Sequence, residues 1–422
     1  MSVLDQAKAR DAADPLRGYR EQFDLPDGVV YLDGNSLGAL PKRTRERLKD
    51  VVDQEWGEGL IRSWNTADWI GAPQRIGGKI APLIGAQPDE VIACDSVSVN
   101  LTKLIGAALK MRTGRTVILS EPGNFPTDLY MIQGLAGQGL AGQGGAGKGG
   151  AGQGGAEQRL VHRDQIMGAL DEDVALLMLT HVHYKTGAMF DMEALTKAAH
   201  DAGALVLWDL SHSGGAVPVD LNACGADFAV GCGYKYLNGG PGAPAYAYVA
   251  QRHHQTFQQP ITGWMGHARP FAFLDEYEPA AGVTRMLAGT PPILAMAALE
   301  SGVELIAEIG MEPLVTKSRA LSEFFRAAMA QHCPQMEPVS PADPAQRGSQ
   351  LSYYHPEAYA ICQALIARGI IGDFRDPDVL RFGFAPAYVS FEDAAVTVAE
   401  LADILEANAW DKPEFKQRAA VT

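Results

Sequence analysis

Cysteine is scarce in this chain: five in 422 residues (Cys94, Cys224, Cys232, Cys333 and Cys362), odd in number, scattered and without a CxxC pair. That spacing argues against a disulfide framework or a zinc ribbon and for reduced, buried thiols. Basic charge is short as well. Lysine and arginine total 35 against 50 acidic residues, a net charge of −15, which argues against a nucleic-acid backbone or an anionic lipid surface as partner. No run of about 18 apolar residues occurs, so no membrane span is expected. The first residues, MSVLDQAKARDAADPLRGYR, lack the apolar core of a signal peptide, and a cytoplasmic protein is expected.

What is present is an ordinary globular composition, 47% hydrophobic and 20% charged, on a chain too long for one simple core. Short apolar runs alternate with amphipathic stretches. Strands are expected at Val91–Cys94, Thr116–Ser120, Val174–Thr180, Ala204–Leu210, Phe228–Cys232 and Ala245–Val249. Between two of them, DMEALTKAAHDAG reads as a helix capped by Asp191 and ended by Gly203. Strand and helix in repetition imply a mainly parallel sheet wrapped by helices.

After Pro291-Pro292 a long helix, ILAMAALESGVELIAEIG, runs to Gly310, and a later one opens on a Ser390/Asp393 capping box. The fold class is therefore α/β: a large domain (51–290), then a connecting helix and a smaller α+β domain (291–422), which an N-terminal arm (1–50) joins. One tract stands apart: Gly134 to Gly155 packs 12 of the 46 glycines into 22 residues. It reads as a mobile loop, because it has too little to bury to offset its ordering entropy. A phosphate-cradling role is the sharper alternative, but the tract lacks the GKS/T ending of a P-loop.

The densest cluster of chemistry is LVLWDLSHSGG followed by GCGYKYLNGGPGAPAY. Asp209 ends an apolar strand at the carboxyl edge of the sheet, where open α/β proteins place ligands. Lys235 follows another strand and precedes a glycine-rich turn, where desolvation lowers an amine's pKa and frees it as a nucleophile. That pair is what pyridoxal phosphate requires, the carboxylate holding the pyridine nitrogen and the lysine forming an imine. A salt bridge tying two loops together is the alternative. In VIACDSVSVNLTKLIGAALK, Val97, Ser98 and Asn100 lie where a helix N-terminus would meet a phosphate, or where an ordinary cap would sit. In PGNFPTDLY, Phe125 could stack on an aromatic ring or pack in the core, and Asp128 could accept a hydrogen bond.

With these residues in view, YLDGNSLGALP (31–41), NFPTD (124–128), LWDLSHSGGAVPVDL (207–221), GYKYLNGGPGAP (233–244) and the later GW, AGTPP and RFGFAPAY segments resemble the kynureninase family from about residue 28 to about 405. The glycine-rich tract departs from that pattern. The resemblance implies a homodimer of the aspartate-aminotransferase fold (fold type I). It implies hydrolysis of L-kynurenine, or its 3-hydroxy form, to an anthranilate and L-alanine, a reaction of tryptophan catabolism. Lys235 would be the imine lysine and then the acid/base at Cα, Asp209 the partner of the pyridine nitrogen, and His212 and Thr180 cofactor contacts. Phe125 would stack on the ring with Pro126, Thr127 and Asp128 beside it. Val97, Ser98 and Tyr234 would bind the phosphate, with Trp264 and Thr290 reaching across the dimer. Arg381 would clamp the substrate carboxylate, with Asn35 and Ser36 lining the same pocket; its alternative is a salt bridge to Asp373 or Asp376. Trp64 and Thr290 match members that favour unhydroxylated kynurenine. Tyr234 stands either as a proton shuttle or as a phosphate ligand.

Two other chemistries compete. Cysteine desulfuration on the same fold needs a reactive thiol, for which Cys333 is the candidate. A metal hydrolase would use His181 and His183 with Asp209 and His212, but it leaves Lys235, the phosphate turn and Arg381 without roles, so no metal is expected. A silent binding protein would hold the cofactor without turnover.

Overall fold

The computed structural model describes residues 2–137 and 156–418. Its centre is a seven-stranded sheet. In chain order the strands are β1 (Val91–Ala93), β2 (Val117–Ser120), β3 (Glu157–Leu160), β4 (Val174–Thr180), β5 (Leu205–Asp209), β6 (Phe228–Gly231) and β7 (Tyr246–Val249), arranged β1-β7-β6-β5-β4-β2-β3. β3, β2, β4, β5 and β6 run parallel, and β7 pairs antiparallel with both β6 and β1. The parallel strands read as unbroken apolar runs because helices cover both faces: every residue of β2, β4, β5 and β6 is buried. The six expected strands are all present, within one residue at each end. β3 escapes a hydrophobicity reading, because EQRL is a half-exposed edge with no apolar run.

The helices that matter for the site are α1 (Val97–Met111), α2 (Pro126–Gly137), α3 (Met192–Asp201), α4 (Ile293–Ile309), α5 (Met311–His332) and α6 (Phe391–Glu406). Their sequence signals act as expected. The Asp191 side chain accepts from Ala194 N at 2.9 Å to cap α3, Gly310 ends α4 at φ +84°, and Ser390 and Asp393 close a reciprocal capping box on α6. Of the glycine-rich tract expected to be a loop over 134–155, the first four residues continue α2 instead; the remainder lies outside the described residues.

Beyond α4 a four-stranded antiparallel sheet forms from β8 (Glu337–Pro338), β9 (Gln350–Tyr354), β10 (Asp373–Arg375) and β11 (Val379–Gly383), ordered β8-β9-β11-β10. The N-terminal residues touch this part of the chain: Val30–Tyr31 pairs in parallel with Ile370–Ile371, and Asp33 bridges to Gly383. The segment after Asp33 also reaches the large sheet, where Gly38 N donates to the Tyr234 carbonyl at 2.8 Å. That approach leaves no room for a side chain: a Cβ on Gly38 would lie 2.3 Å from the Lys235 carbonyl oxygen.

Candidate active site

The carboxyl ends of the parallel strands open into a cavity of about 420 Å³, within the range of small-molecule sites. Its walls come from the turn before α1 (Cys94–Ser98), the start of α2 (Phe125, Thr127), the ends of β4 and β5 (Thr180, Tyr184, Asp209, Ser211, His212), the loop after β6 (Cys232, Tyr234, Lys235) and the strap Leu287–Pro292.

Asp209 reaches the cavity because the strand behind it, LVLW, is wholly apolar and buried, so the first polar group falls where the strand ends. Its Oδ1 accepts from Ser211 N at 2.7 Å. Burial raises its pKa, opposed by that hydrogen bond and by the nearby Lys235 charge. Lys235 is 8% exposed and its amine lies 2.9 Å from His212 Nε2. Burial also lowers the amine's pKa, and Arg381 and Arg375 push the same way against Cys232 and Asp209. His212 is held well below its usual value, by burial first and then by the Lys235 charge. Burial thus shifts both bases toward their neutral forms.

On the opposite wall Asp95 adopts φ +48°, and Ser96 caps α1, its hydroxyl accepting from Val99 N at 3.4 Å. The N–H groups of Val97 and Ser98 belong to the first turn of a 15-residue helix and have no carbonyl within it to bond. The Asn100 side chain points inward: its Nδ2 donates to the Cys94 carbonyl at 2.8 Å, which fixes the turn. Lys103, wholly buried, ties the same turn down through Asp95 at 2.6 Å.

Phe125 stands edge-on to Tyr184 with centroids 5.3 Å apart, and the Lys235 amine is 5.8 Å from the centroids of Phe125 and Tyr234 alike. Asp128 lies behind this ring, fully buried, with Oδ2 accepting from Thr180 Oγ1 at 3.0 Å and Oδ1 without a partner among the described residues. Burial and the neighbouring Asp209 hold its pKa well above the carboxylate range. Burial likewise raises that of the Tyr234 phenol, keeping it a proton donor.

A profile of the kynureninase C-terminal domain matches residues 314–401. Kynureninase of Burkholderia mallei (strain SAVP1) is 49% identical over 429 aligned positions, covering the whole of both chains, and that of Pseudomonas fluorescens is 46% identical over the same span. The chain belongs to the kynureninase family. Among solved structures, the apo cysteine desulfurase from Thermococcus onnurineus NA1 superposes with a TM-score of 0.75 at 18% identity, covering 92% of this chain and 98% of that one. A C-DES variant with glycine covalently linked to its PLP cofactor superposes with a TM-score of 0.74, also at 18% identity, over 91% and 99%. At such identity the likeness shows a shared fold.

Within this kynureninase-family fold, Val97, Ser98, Phe125, Thr127, Thr180, Asp209, His212, Tyr234, Lys235 and Thr290 all line one cavity. Thr290 lies on the strap Leu287–Pro292 at the cavity's rim. Pro126 begins α2 beside them, and Asp128 sits behind. Five residues, Asn35, Ser36, Trp64, Trp264 and Arg381, stand outside this lining. Trp64 packs edge-on to Trp69 at 5.9 Å, and Trp264 is 40% exposed against Phe271. Asn35 is wholly buried, with neither amide atom partnered among the described residues. Arg381, 1% exposed, is engaged by Asp373 and the Tyr184 carbonyl, with Ser36 Oγ at 3.1 Å. Asp373 is thus a carboxylate partner of the kind the salt-bridge alternative named, and Arg381 Nε is left without a partner among the described residues.

Sequence reasoning missed Tyr184, Ser211, Cys94 and Cys232 in the cavity wall and Gln350 behind His212. A strand-end rule applied to HVHYKTG would have found Tyr184, but the two histidines drew attention to metals. His181 instead bonds Ser213 Oγ at 2.9 Å and His183 the Gly123 carbonyl at 2.8 Å. Cys333 is no desulfuration nucleophile: it lies at the end of α5, outside the cavity wall, 1% exposed, with burial pushing its thiol up to about 12.

Proposed function

We propose that this chain hydrolyses the Cβ–Cγ bond of L-kynurenine, releasing anthranilate and L-alanine, with pyridoxal phosphate held at Lys235. The observation that carries the reading is the buried Lys235 amine facing a buried strand-end carboxylate across a single cavity, in a chain that aligns end to end with kynureninases. The residues fit the cofactor. Asp209 is a buried carboxylate with one backbone donor on Oδ1, suited to a pyridinium N–H. The free N–H groups of Val97 and Ser98 suit a phosphate, with Tyr234 and Thr127 on the same cavity. Phe125 offers a ring to flank the cofactor's own.

When bound, pyridoxal phosphate supplies the electron sink that stabilises negative charge at the substrate Cα. Lys235, biased toward its neutral form by burial, takes the Cα proton and returns it. Asp209 keeps the pyridine nitrogen protonated. His212 and Thr180 would contact the cofactor, and Phe125 would stack on its ring. Hydrolysis also needs water at the γ-carbonyl and a proton at Cβ; Tyr234, whose phenol stays protonated, delivers that proton. Arg381, with Ser36 and Asn35 nearby, receives the substrate carboxylate once Asp373 yields its place, and the guanidinium fork then matches a carboxylate with two bonds.

The enzyme works as a homodimer with shared sites. Support comes from exposed apolar side chains such as Trp264, Phe271, Phe273 and Leu274, 40–78% accessible on one segment, a patch of the kind that marks interfaces. It acts in the cytoplasm without nucleic-acid partners, supported by a net charge of −15 and unpaired cysteines; among the described residues no helix is long and apolar enough to cross a membrane. Anthranilate release from kynurenine and from 3-hydroxykynurenine, measured in parallel on the cofactor-loaded protein, tests the reaction. Turnover of kynurenine is expected, with 3-hydroxykynurenine the slower substrate. No release from either would overturn the reading.

A further inference from the structure

Behind His212 lies a residue that none of these roles uses. Gln350 opens β9 in the small sheet, 1% exposed. Its Nε2 donates to the Tyr184 carbonyl at 2.9 Å, and its Oε1 lies 3.1 Å from His212 Nδ1. A carbonyl only accepts, so the amide cannot be turned round without losing that bond. Oε1 must then face the imidazole, and since it too only accepts, Nδ1 must carry the proton. In a neutral ring the lone pair therefore sits on Nε2, which is 2.9 Å from the Lys235 amine.

The backbone around Gln350 packs closely against it. Gly187, at φ +71°, passes so close that a Cβ there would lie 3.0 Å from Gln350 Cγ and 3.2 Å from its carbonyl oxygen. Gly348 N donates to the Gly187 carbonyl at 2.8 Å, holding the two segments together. The Tyr184 carbonyl that anchors the amide also accepts from Arg381. The chain of bonds thus runs from the small sheet to the lysine, through a loop contributed by the large domain.

We infer that Gln350 is a positioning residue: it locks His212 as the Nδ1–H tautomer and so keeps an acceptor lone pair on the Lys235 amine. A second effect follows from the same contacts. A proton carried on Lys235 Nζ has a fixed neutral acceptor to pass to, while the charges facing His212, those of Lys235, Arg381 and Arg375, disfavour a lasting imidazolium. The functional arm of this inference rests on the pyridoxal-phosphate reading of the site; the tautomer itself does not.

Heteronuclear NMR of the histidine ring nitrogens in the full cofactor-free chain reads the lock directly. Wild type should show His212 neutral with Nδ1 protonated. Gln350→Met should shift it toward the Nε2–H form. Gln350→Glu, which keeps the shape but offers a carboxylate, should protonate both nitrogens, and it keeps the test open should the methionine variant not accumulate. In the loaded enzyme Gln350→Met should lower kcat on the order of ten- to a hundredfold, the range seen for outer-shell partners of metal-bound histidines, with KM little changed. It should also move the pH at which the visible band of the lysine-bound cofactor titrates. In a His212→Ala background the same change should cost nothing further. An Nε2–H tautomer in wild type, a tautomer unmoved by both variants, or full additivity with His212→Ala would each overturn the lock. A chain that shows the tautomer shift but never cleaves kynurenine would sink the reaction and leave the lock standing.

Discussion

Arg381 and Asp373 sit opposite each other on adjacent antiparallel strands, both 1% exposed and paired through their charges. Removing one partner of a buried pair leaves the other charge uncompensated, which is far costlier than losing a surface pair. Arg375 and Ser36 share the same carboxylate, each at 2.7 Å, so the pair belongs to a network.

Arg381→Lys should raise the KM for kynurenine by roughly tenfold or more, because an ammonium cannot reproduce a two-bond fork. It should also lower the Tm, since Lys cannot engage Asp373, Ser36 and the Tyr184 carbonyl together. Asp373→Asn should destabilise the fold by roughly 2–4 kcal/mol in denaturant unfolding. If Asp373→Asn unfolds as wild type does while Arg381→Lys binds kynurenine normally, neither the pair nor the clamp has the part assigned to it.

Lys235→Ala should bind no cofactor covalently, so the yellow visible band of the purified protein should vanish together with multiple turnover. Lys103, the other buried lysine tied to the cavity wall, is committed to Asp95 and to the Met286 carbonyl. A yellow, active variant would mean that the cofactor is held elsewhere.

Much of this site was legible in the residues because strand ends are local features. An apolar run that stops at Asp209, or at Cys232 just before Lys235, marks the sheet's carboxyl edge without any knowledge of its neighbours. The turn into α1 was legible for the same reason, though not the side on which Asn100 falls: a side chain at the fourth helical position can face the ligand or the turn, and only packing decides. Arg381 needed a partner by burial alone, and the residue reading left substrate or acid open. The choice of Asp373 depends on a hairpin register set eight residues apart. Gln350 was out of reach because its significance lies in one amide wedged between the Tyr184 carbonyl and His212, a contact with no periodicity in the chain.

Gly38→Ala should displace the lysine loop. The added methyl would meet the Lys235 carbonyl oxygen at 2.3 Å and Asn238 Oδ1 at 2.4 Å, with backbone on one side, so the N-terminal segment or the loop has to move. Overpacking of this kind typically costs about 1–3 kcal/mol. Turnover should fall more than stability, because the loop that shifts carries the reacting amine. A variant with wild-type kcat and Tm would show that the two segments are not in such contact.

The last prediction concerns Asp33, which bridges to Gly383 beside the Arg381 network. Burial, and then the negative charge of Asp373, raise its carboxyl from an ordinary 3.8 to about 7. The folded chain therefore binds a proton there that the unfolded chain has already released. Stability from this group is intact below about pH 4 and falls as pH rises towards about 7, above which the ionised carboxylate stays buried at full cost. Asp33→Asn, which cannot ionise, should remove that slope. The variant should match wild type in acid and exceed it by roughly 1–4 kcal/mol in mildly alkaline buffer, the range implied by a shift of about three pKa units discounted for its coupling to Asp373. Denaturant unfolding at both pH values reads the difference. A gap that is the same in acid and in base would show that Asp33 is ionised in the folded protein throughout, with Arg381 and Arg375 outweighing burial.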